Sequence, residues 1–88
     1  MRKKIISNTY YVCLDNDLRE TKISEITDND VFLFYGSNSK YDNFVVFCIK
    51  ENSKTRILEV NYQSVGCNFD SVKDLIEKIK IFKQQNHE

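Results

Sequence analysis

The chain has 88 residues with thirteen basic and thirteen acidic side chains, so its formal net charge is zero. This balance argues against a protein that mainly neutralises phosphates, and the length argues against several domains, because cores usually split only beyond about 250 residues. Hydrophobic residues make up 41% and aromatic residues 12% of the chain, which suffices for a packed core. We therefore expect one small globular domain over residues 1–88.

Two features of the sequence indicate the cellular compartment, namely the cysteines and the amino-terminal residues. Cys13, Cys48 and Cys67 are odd in number and lack metal-ligand spacing, which is typical of buried free thiols in a reducing compartment and indicates no cofactor. The basic start is soon interrupted by the polar residues 7–9, unlike a signal peptide, and no run of about 18 apolar residues predicts a membrane helix. The expected location is the cytoplasm.

The first half of the chain contains one clear strand pattern and one ambiguous segment. Residues 4–14 are rich in β-branched and aromatic side chains, which predicts a strand that ends at Asp15-Asn16-Asp17. Residues 18–26 fit neither period well, and a short helix is slightly favoured over a strand. Residues 27–30 are typical of a turn.

Two uninterrupted apolar runs follow, at 31–35 and 44–49. Such runs favour central strands that are covered on both faces. The connection between them, residues 36–43, is long for a hairpin loop and polar, so it is a candidate for function.

Residues 55–62 alternate between apolar and polar side chains, as in a strand with one wet face. The alternation predicts which side chains point inward and which outward: Leu58, Val60 and Tyr62 inward, Glu59 and Asn61 outward.

The clearest element is a helix over residues 70–82. Its apolar residues follow the helical repeat and predict one buried stripe: Val72, Leu75, Ile76, Ile79 and Phe82. Ile81 points away from this stripe. The predicted fold class is α+β: a mostly antiparallel sheet of about four strands, with this helix on one face and a second short helix, from residues 18–26, over the other. The chain has no proline to protect its edge strands, so a homodimer by strand addition is compatible with the sequence.

Residues with catalytic chemistry do not form a recognisable set. The single histidine, His87, lies in a polar tail, and no glycine-rich phosphate loop exists. The pairs Asp15-x-Asp17 and Asp28-x-Asp30 resemble the start of a calcium loop, but Arg19 and Phe32 occupy the next ligand positions. The sequence therefore favours a protein that is not an enzyme and binds no metal.

Two features favour binding instead. Residues 15–30 carry six carboxylates and only two basic side chains, a local excess that would attract a basic partner. The eleven tyrosines and phenylalanines exceed what a small core hides, and exposed tyrosine is enriched at binding hot spots. The candidate partner-binding residues are Asp15, Asp17, Glu20, Glu25, Asp28, Asp30, Tyr35 and Tyr41.

Two stretches resemble the Src-homology 2 family. Phe32-Leu33-Phe34-Tyr35-Gly36-Ser37 resembles the family's strand Phe-Leu-Val-Arg-Glu-Ser, with Phe44-Val45-Val46 at a suitable distance, and residues 69–76 are similar to its second helix. The resemblance covers about half of the chain and implies a central antiparallel sheet between two helices. The family's phosphotyrosine-binding arginine falls on Tyr35, so phosphotyrosine binding is not carried over.

These observations favour a small non-enzymatic module that binds another protein and inhibits or modulates it. In length and composition the chain is similar to short accessory proteins of viruses and phages. The alternative is a nucleic-acid-binding module that uses sheet aromatics and basic side chains, namely Arg2, Lys3, Lys4, Lys50, Lys54 and Arg56.

Overall fold

The computed structural model describes residues 5–38, 43–63 and 72–85. These residues form five strands and one α-helix: β1 (Thr9–Leu14), β2 (Asp17–Thr21), β3 (Val31–Gly36), β4 (Asn43–Glu51), β5 (Lys54–Gln63) and α1 (Val72–Gln85). The strands build one sheet in the order β2-β1-β3-β4-β5, and every neighbouring pair is antiparallel. The predicted α+β class is confirmed, with five strands rather than about four.

The helix packs on one side of the sheet, which we call the helix face. Its buried residues Leu75, Ile76 and Ile79 join side chains from the strands, including Tyr11, Leu33 and Phe47, in the main hydrophobic core. Val72 and Phe82 pack at the margin of that core, so the predicted stripe is confirmed. Ile81 is 44% exposed, as its position around the helix requires.

The prediction for residues 18–26 was only partly right. Residues 17–21 form the edge strand β2, paired with β1, and a three-residue 3-10 helix follows at Ile23–Glu25. Strand β2 was hard to recognise because its one fully buried side chain is Leu18, which joins the helix-face core, while Arg19 and Glu20 are exposed.

The other side of the sheet, which we call the open face, is only partly covered by the described residues. Ile26, directly after the 3-10 helix, packs on Phe32 and Cys48 in a second, smaller cluster. Thus β3 and β4 are central, but the predicted cover on both faces is complete only on the helix face. The described residues contain no helix long and apolar enough to cross a membrane.

A bulge in β5 changes the predicted inward and outward sides of that strand. Glu59 lies opposite Phe47, while Ile57 lies opposite Cys48, so Leu58 is the extra residue. Leu58 packs against the helix-face core, but Val60 belongs to the open face and Tyr62 is 59% exposed. Glu59 contacts Lys78 of the helix, so the predicted inward Tyr62 and outward Glu59 were wrong.

Candidate functional site

A row of four aromatic rings crosses the open face over β1, β3, β4 and β5. The ring centroids of Tyr10 and Phe34 are 4.9 Å apart, those of Phe34 and Phe44 6.1 Å, and those of Phe44 and Tyr62 6.2 Å. All three pairs are tilted, at interplanar angles of 43° to 51°. We call Tyr10, Phe34, Phe44 and Tyr62 the aromatic row. Tilted pairs at these separations attract one another, so the row is held in place before any partner binds.

Strand register explains how residues so far apart in sequence meet. Tyr10 lies directly opposite Phe34, and Phe44 lies directly opposite Tyr62. Phe34 and Phe44 are not directly opposite, because Phe44 pairs with Gly36. The missing side chain at Gly36 leaves room for the ring of Phe44 to lie beside that of Phe34. The continuous row therefore depends on this glycine.

The aromatic row has apolar neighbours and few charges. Val46 and Val60 pair with each other beside the row, and both are half-buried. Ile57, farther along β5, is 60% exposed, and Leu14, at the end of β1, is 51% exposed. The edge strand β2 places the charged Arg19 at one margin of this face. The aromatic row and its apolar neighbours form a surface of the kind that marks interaction sites.

Two of the six basic side chains proposed for nucleic-acid contact are engaged in other bonds. The Lys50 ammonium donates to the backbone carbonyl of Ile23 at 3.2 Å, which ties β4 to the 3-10 helix. Arg56 donates two hydrogen bonds to the carboxylate of Glu51, at 2.8 and 3.1 Å. Lys54 is exposed on β5, and residues 2–4 lie outside the described residues.

The six predicted acidic residues are spread over four local structures. Asp15 and Asp17 belong to the β1–β2 hairpin, Glu20 to β2, and Glu25 to the 3-10 helix. Asp28 and Asp30 lie in the turn before β3. Since Val12 pairs with Phe32, the hairpin and this turn are at the same end of the sheet.

Two of these carboxylates stabilise turns, Asp30 within its own turn and Asp28 by contact with the β4–β5 turn. The Thr27 hydroxyl donates to Asp30 Oδ2 at 2.7 Å, and the Ser53 backbone N–H donates to Asp28 Oδ1 at 2.9 Å. The backbone of Lys50 is also bonded to this turn, through Asn29 and Asp30, so a basic side chain lies among the acidic ones. These contacts show a structural role for Asp28 and Asp30, and they form no concentrated acidic site.

The two predicted tyrosines are not part of the aromatic row. Tyr35 lies opposite Val45 on the helix face, where it is half-buried against the main core. Tyr41 lies outside the described residues. Sequence reasoning recognised an aromatic surplus but did not identify the four residues of the row, because their proximity depends on the pairing of four strands.

A shallow groove of about 520 Å³ lies between the start of α1 and the β1–β2 hairpin. Its lining mixes apolar and charged side chains: Asn16, Asp17, Val72, Lys73, Ile76, Glu77 and Lys80. The Lys80 ammonium bonds Asn16 Oδ1, which links the helix to the hairpin. Within the described chain, no group of three or more metal-ligating side chains is close enough to hold an ion.

Comparisons with known proteins find no relative. No family model, no curated protein and no solved structure matches the chain. The resemblance to the Src-homology 2 family therefore remains a prediction.

Proposed function

We propose that this chain is a non-enzymatic module that binds another protein through the open face of its sheet. The observation that carries the proposal is the aromatic row, which lies on the face that α1 does not cover. The partner surface it fits is apolar and uncharged at its centre, because the row and its paired valines offer hydrocarbon and aromatic contact. Inhibition or modulation of that partner is the proposed consequence of binding.

The composition of the open face supports a protein partner. Protein interfaces have a centre enriched in aromatic residues and depleted of charge, inside a polar rim. Here the rings are half-buried or exposed, and β2 contributes the polar residues Arg19 and Thr21 opposite Val12 and Tyr10. Tyr62 is the ring that offers the most area to a partner, so we expect it to be a hot spot.

The acidic residues 15–30 have a secondary place in this proposal. Four of the six, those of the hairpin and of the turn before β3, lie at one end of the sheet and would attract a basic region of the partner over a longer range. Such exposed charges act on the rate of association more than on the strength of the complex. A moderate rise in ionic strength should therefore slow binding without abolishing it.

The test is affinity capture from host-cell lysate with matched variants. Wild type is compared with Tyr62→Glu, which places a charge on the aromatic row, and with Ile81→Glu, which places the same charge on the exposed side of α1. A stoichiometric protein that is retained by wild type and by Ile81→Glu, but lost with Tyr62→Glu, supports the proposal. A partner retained equally by all three proteins would contradict the assignment of this face.

A nucleic-acid-binding module is the second candidate, and the aromatic row favours it as well. Bases stack on sheet-borne rings, and such binding weakens steeply as salt rises. The scarcity of charges around the row and the internal bonds of Lys50 and Arg56 make this the weaker proposal. Fluorescence anisotropy with labelled single-stranded oligonucleotides at low salt distinguishes the two: no change in anisotropy removes this candidate.

The non-enzymatic character, the cytoplasmic location and the similarity to viral or phage accessory proteins remain predictions. Incubation of the purified protein with common hydrolase and transferase substrates tests the first of them, because any turnover that co-purifies with the chain would contradict it.

A further inference from the structure

Strand β5 lies at the end of the sheet and contributes little to the core. It is the longest of the five strands, with ten residues. None of the side chains that the structure describes in it, those of residues 54–62, is buried. Ile57 and Tyr62, both on the open face, are the most exposed large apolar side chains in the described part of the chain. The strand is therefore held mainly by its pairing with β4, and it leaves apolar surface uncovered at its outer side.

The opposite edge of the sheet, strand β2, is protected against a further strand. It has five residues, and its exposed side chains include the charged Arg19 and Glu20. Short, charged edge strands resist strand addition. Strand β5 is twice as long and contains no proline, so the two edges of the sheet differ in what they can accept.

The bulge at Leu58 divides β5 into two parts. Before it, the charged Lys54 and Arg56 are exposed. After it, residues 59–63 pair regularly with β4, and the one charged residue among them, Glu59, is already paired with a lysine of α1. Because a bulge interrupts the ladder that an added strand needs, a further strand fits beside residues 59–63 and not along the whole of β5.

The backbone of Val60 is directed toward this outer edge. Lys50 exchanges backbone hydrogen bonds with the turn before β3. Since the hydrogen-bonding direction alternates along a strand, the N–H and C=O groups of Phe47 point the other way, to β5, where Phe47 lies opposite Glu59. Val60, the next residue, therefore directs its N–H and C=O groups away from β4. An extended backbone supplies the acceptor and the donor that these two groups need.

We infer that residues 59–63 accept an extended segment of the partner protein as an additional strand of the sheet. This inference rests on the proposed function and specifies the form of the partner. The side chains of the added strand that lie beside Val60 and Tyr62 are on the open face, next to the aromatic row, and are apolar. Those beside Glu59 and Asn61 are on the helix face and are polar, so the segment alternates between the two kinds of residue.

Nuclear magnetic resonance of the isotope-labelled protein tests the inference with a synthetic peptide that alternates valine and threonine between terminal lysines. Added to about 1 mM, the peptide should shift the amide signals of residues 59–63. The same peptide with every internal amide N-methylated keeps the side chains and the charge but has no internal N–H donors. It should bind at least about tenfold more weakly, because each lost backbone hydrogen bond weakens the complex. This comparison uses only the wild-type protein.

Two substitutions at Val60 test the same contact from the side of the protein. Val60→Pro removes an N–H that points away from β4, so the domain should stay folded, as circular dichroism checks. It should bind the unmethylated peptide at least about tenfold more weakly than wild type, because the outward donor is gone. Val60→Ala is the matched control, since it shortens the side chain but keeps the N–H, and it should still bind the peptide.

Three results would overturn the inference: unchanged signals of residues 59–63 with the peptide, equal binding of the N-methylated peptide, or wild-type binding by folded Val60→Pro. Shifts of these signals with protein concentration alone would also overturn it, because a second copy would then supply the strand. In each of these cases, a captured partner that is lost with Tyr62→Glu would still support the open face. A captured partner retained with Tyr62→Glu contradicts the proposed function whatever the peptide does, so the two failures are distinguishable.

Discussion

Gly36 decides how the rings of the aromatic row lie against one another. It is buried, and a Cβ atom added there would lie 2.8 Å from Phe44 Cε2 and 2.9 Å from Phe34 Cε2. Both distances are too short for carbon atoms in contact. The packing of the two rings therefore requires glycine at this position, and its replacement by a larger residue should separate them.

Gly36→Ala should lower the free energy of unfolding by about 1 kcal/mol, as overpacking outweighs the better strand propensity of alanine. The cost should fall in a Phe44→Leu background, where the ring that meets the new methyl group is gone. Urea unfolding of the four proteins in this double-mutant cycle measures the coupling. Equal costs in both backgrounds would show that the Phe44 ring is not the obstacle.

Glu59 and Lys78 connect β5 to α1 by an ion pair of 2.7 Å. The hydrogen bond from Lys78, together with one from the Asn61 amide, lowers the pKa of Glu59 below its ordinary value of 4.5. The two side chains keep 32% and 41% of their surface exposed, so solvent weakens the interaction.

This pair should make a small contribution that is lost in acid. Because the pKa of Glu59 is lower in the folded than in the unfolded chain, the stabilisation is present above pH 4.5 and disappears as the pH falls through the folded-state pKa. When the pH falls from 7 to 3, the free energy of unfolding of wild type should fall by about 0.5 kcal/mol more than that of Glu59→Gln. Urea unfolding at both pH values measures the difference, and Glu77→Gln, on the exposed side of α1, is the matched control. A Glu59→Gln variant as acid-sensitive as wild type would contradict the role of the pair.

The two tight hairpins show how turns set the register of the sheet. Asp15 and Asn16 have φ of 54° and 61°, and Asn52 and Ser53 have φ of 52° and 65°. Two successive residues with positive φ form the turn that matches the twist of antiparallel strands. Asparagine and aspartate tolerate this region, but serine does so less readily.

Ser53→Gly should therefore raise the free energy of unfolding by about 0.5 to 1 kcal/mol, because glycine has no Cβ to strain at this φ. The backbone N–H that bonds Asp28 is kept in the variant. Ser53→Ala is the control, since it removes only the hydroxyl and should leave the stability nearly unchanged. Thermal and urea unfolding of the three proteins measure the difference. A Ser53→Gly variant no more stable than Ser53→Ala would contradict this explanation.

The elements differ in how far the sequence predicts them, for physical reasons. Helix α1 and the central strands β3 and β4 were predicted because their apolar residues are close together in sequence and follow a period or an unbroken run. Strand β2 was not, since its one fully buried side chain is Leu18 and its charged residues suit an edge. The inward side of β5 was misplaced because the bulge at Leu58 shifts the alternation, and no local pattern marks that bulge.

The candidate site was less predictable than the fold. The acidic segment was visible as a local cluster, but folding distributes it over a hairpin, a strand, a 3-10 helix and a turn. The aromatic row was not visible, because Tyr10 and Tyr62 come together only through the pairing of β1 with β3, β3 with β4, and β4 with β5. Patterns that are local in sequence can be recognised without a structure. A surface assembled by strand pairing can be recognised only when the order of the strands is known.

For the molecule as a whole, the two faces of the sheet are stabilised differently. The helix face is closed by α1, while one end of the open face is closed by the segment 22–30. That segment is tied to β4 by backbone bonds from Asn29 N–H to the Lys50 carbonyl, at 2.6 Å, and from Lys50 N–H to the Asp30 carbonyl, at 3.0 Å. The side-chain bond of Lys50 to Ile23 adds a third connection. We expect these ties to hold the segment down until the whole domain unfolds.

The reactivity of the Cys48 thiol tests that expectation, because Cys48 lies beneath the segment 22–30. It is 4% exposed and packs with Ile26 and Phe32, and burial raises the pKa of its thiol to about 11. In the folded protein at pH 8 it should react very slowly with a thiol reagent, since neither the thiolate nor a path to it is available. The assay uses a variant in which the other two cysteines, Cys13 and Cys67, are replaced by serine.

The labelling rate of Cys48 should rise with urea below the unfolding midpoint, with the same dependence on urea as the global unfolding equilibrium. This result follows if the segment 22–30 and the sheet open together, because exposure of the thiol then requires global unfolding. The labelling rate is compared with that of Lys50→Met, because this substitution removes the side-chain bond to Ile23 and keeps the backbone bonds. A labelling rate that is independent of urea, in either protein, would show instead that the segment lifts from the open face on its own and exposes a larger apolar surface than the folded state presents.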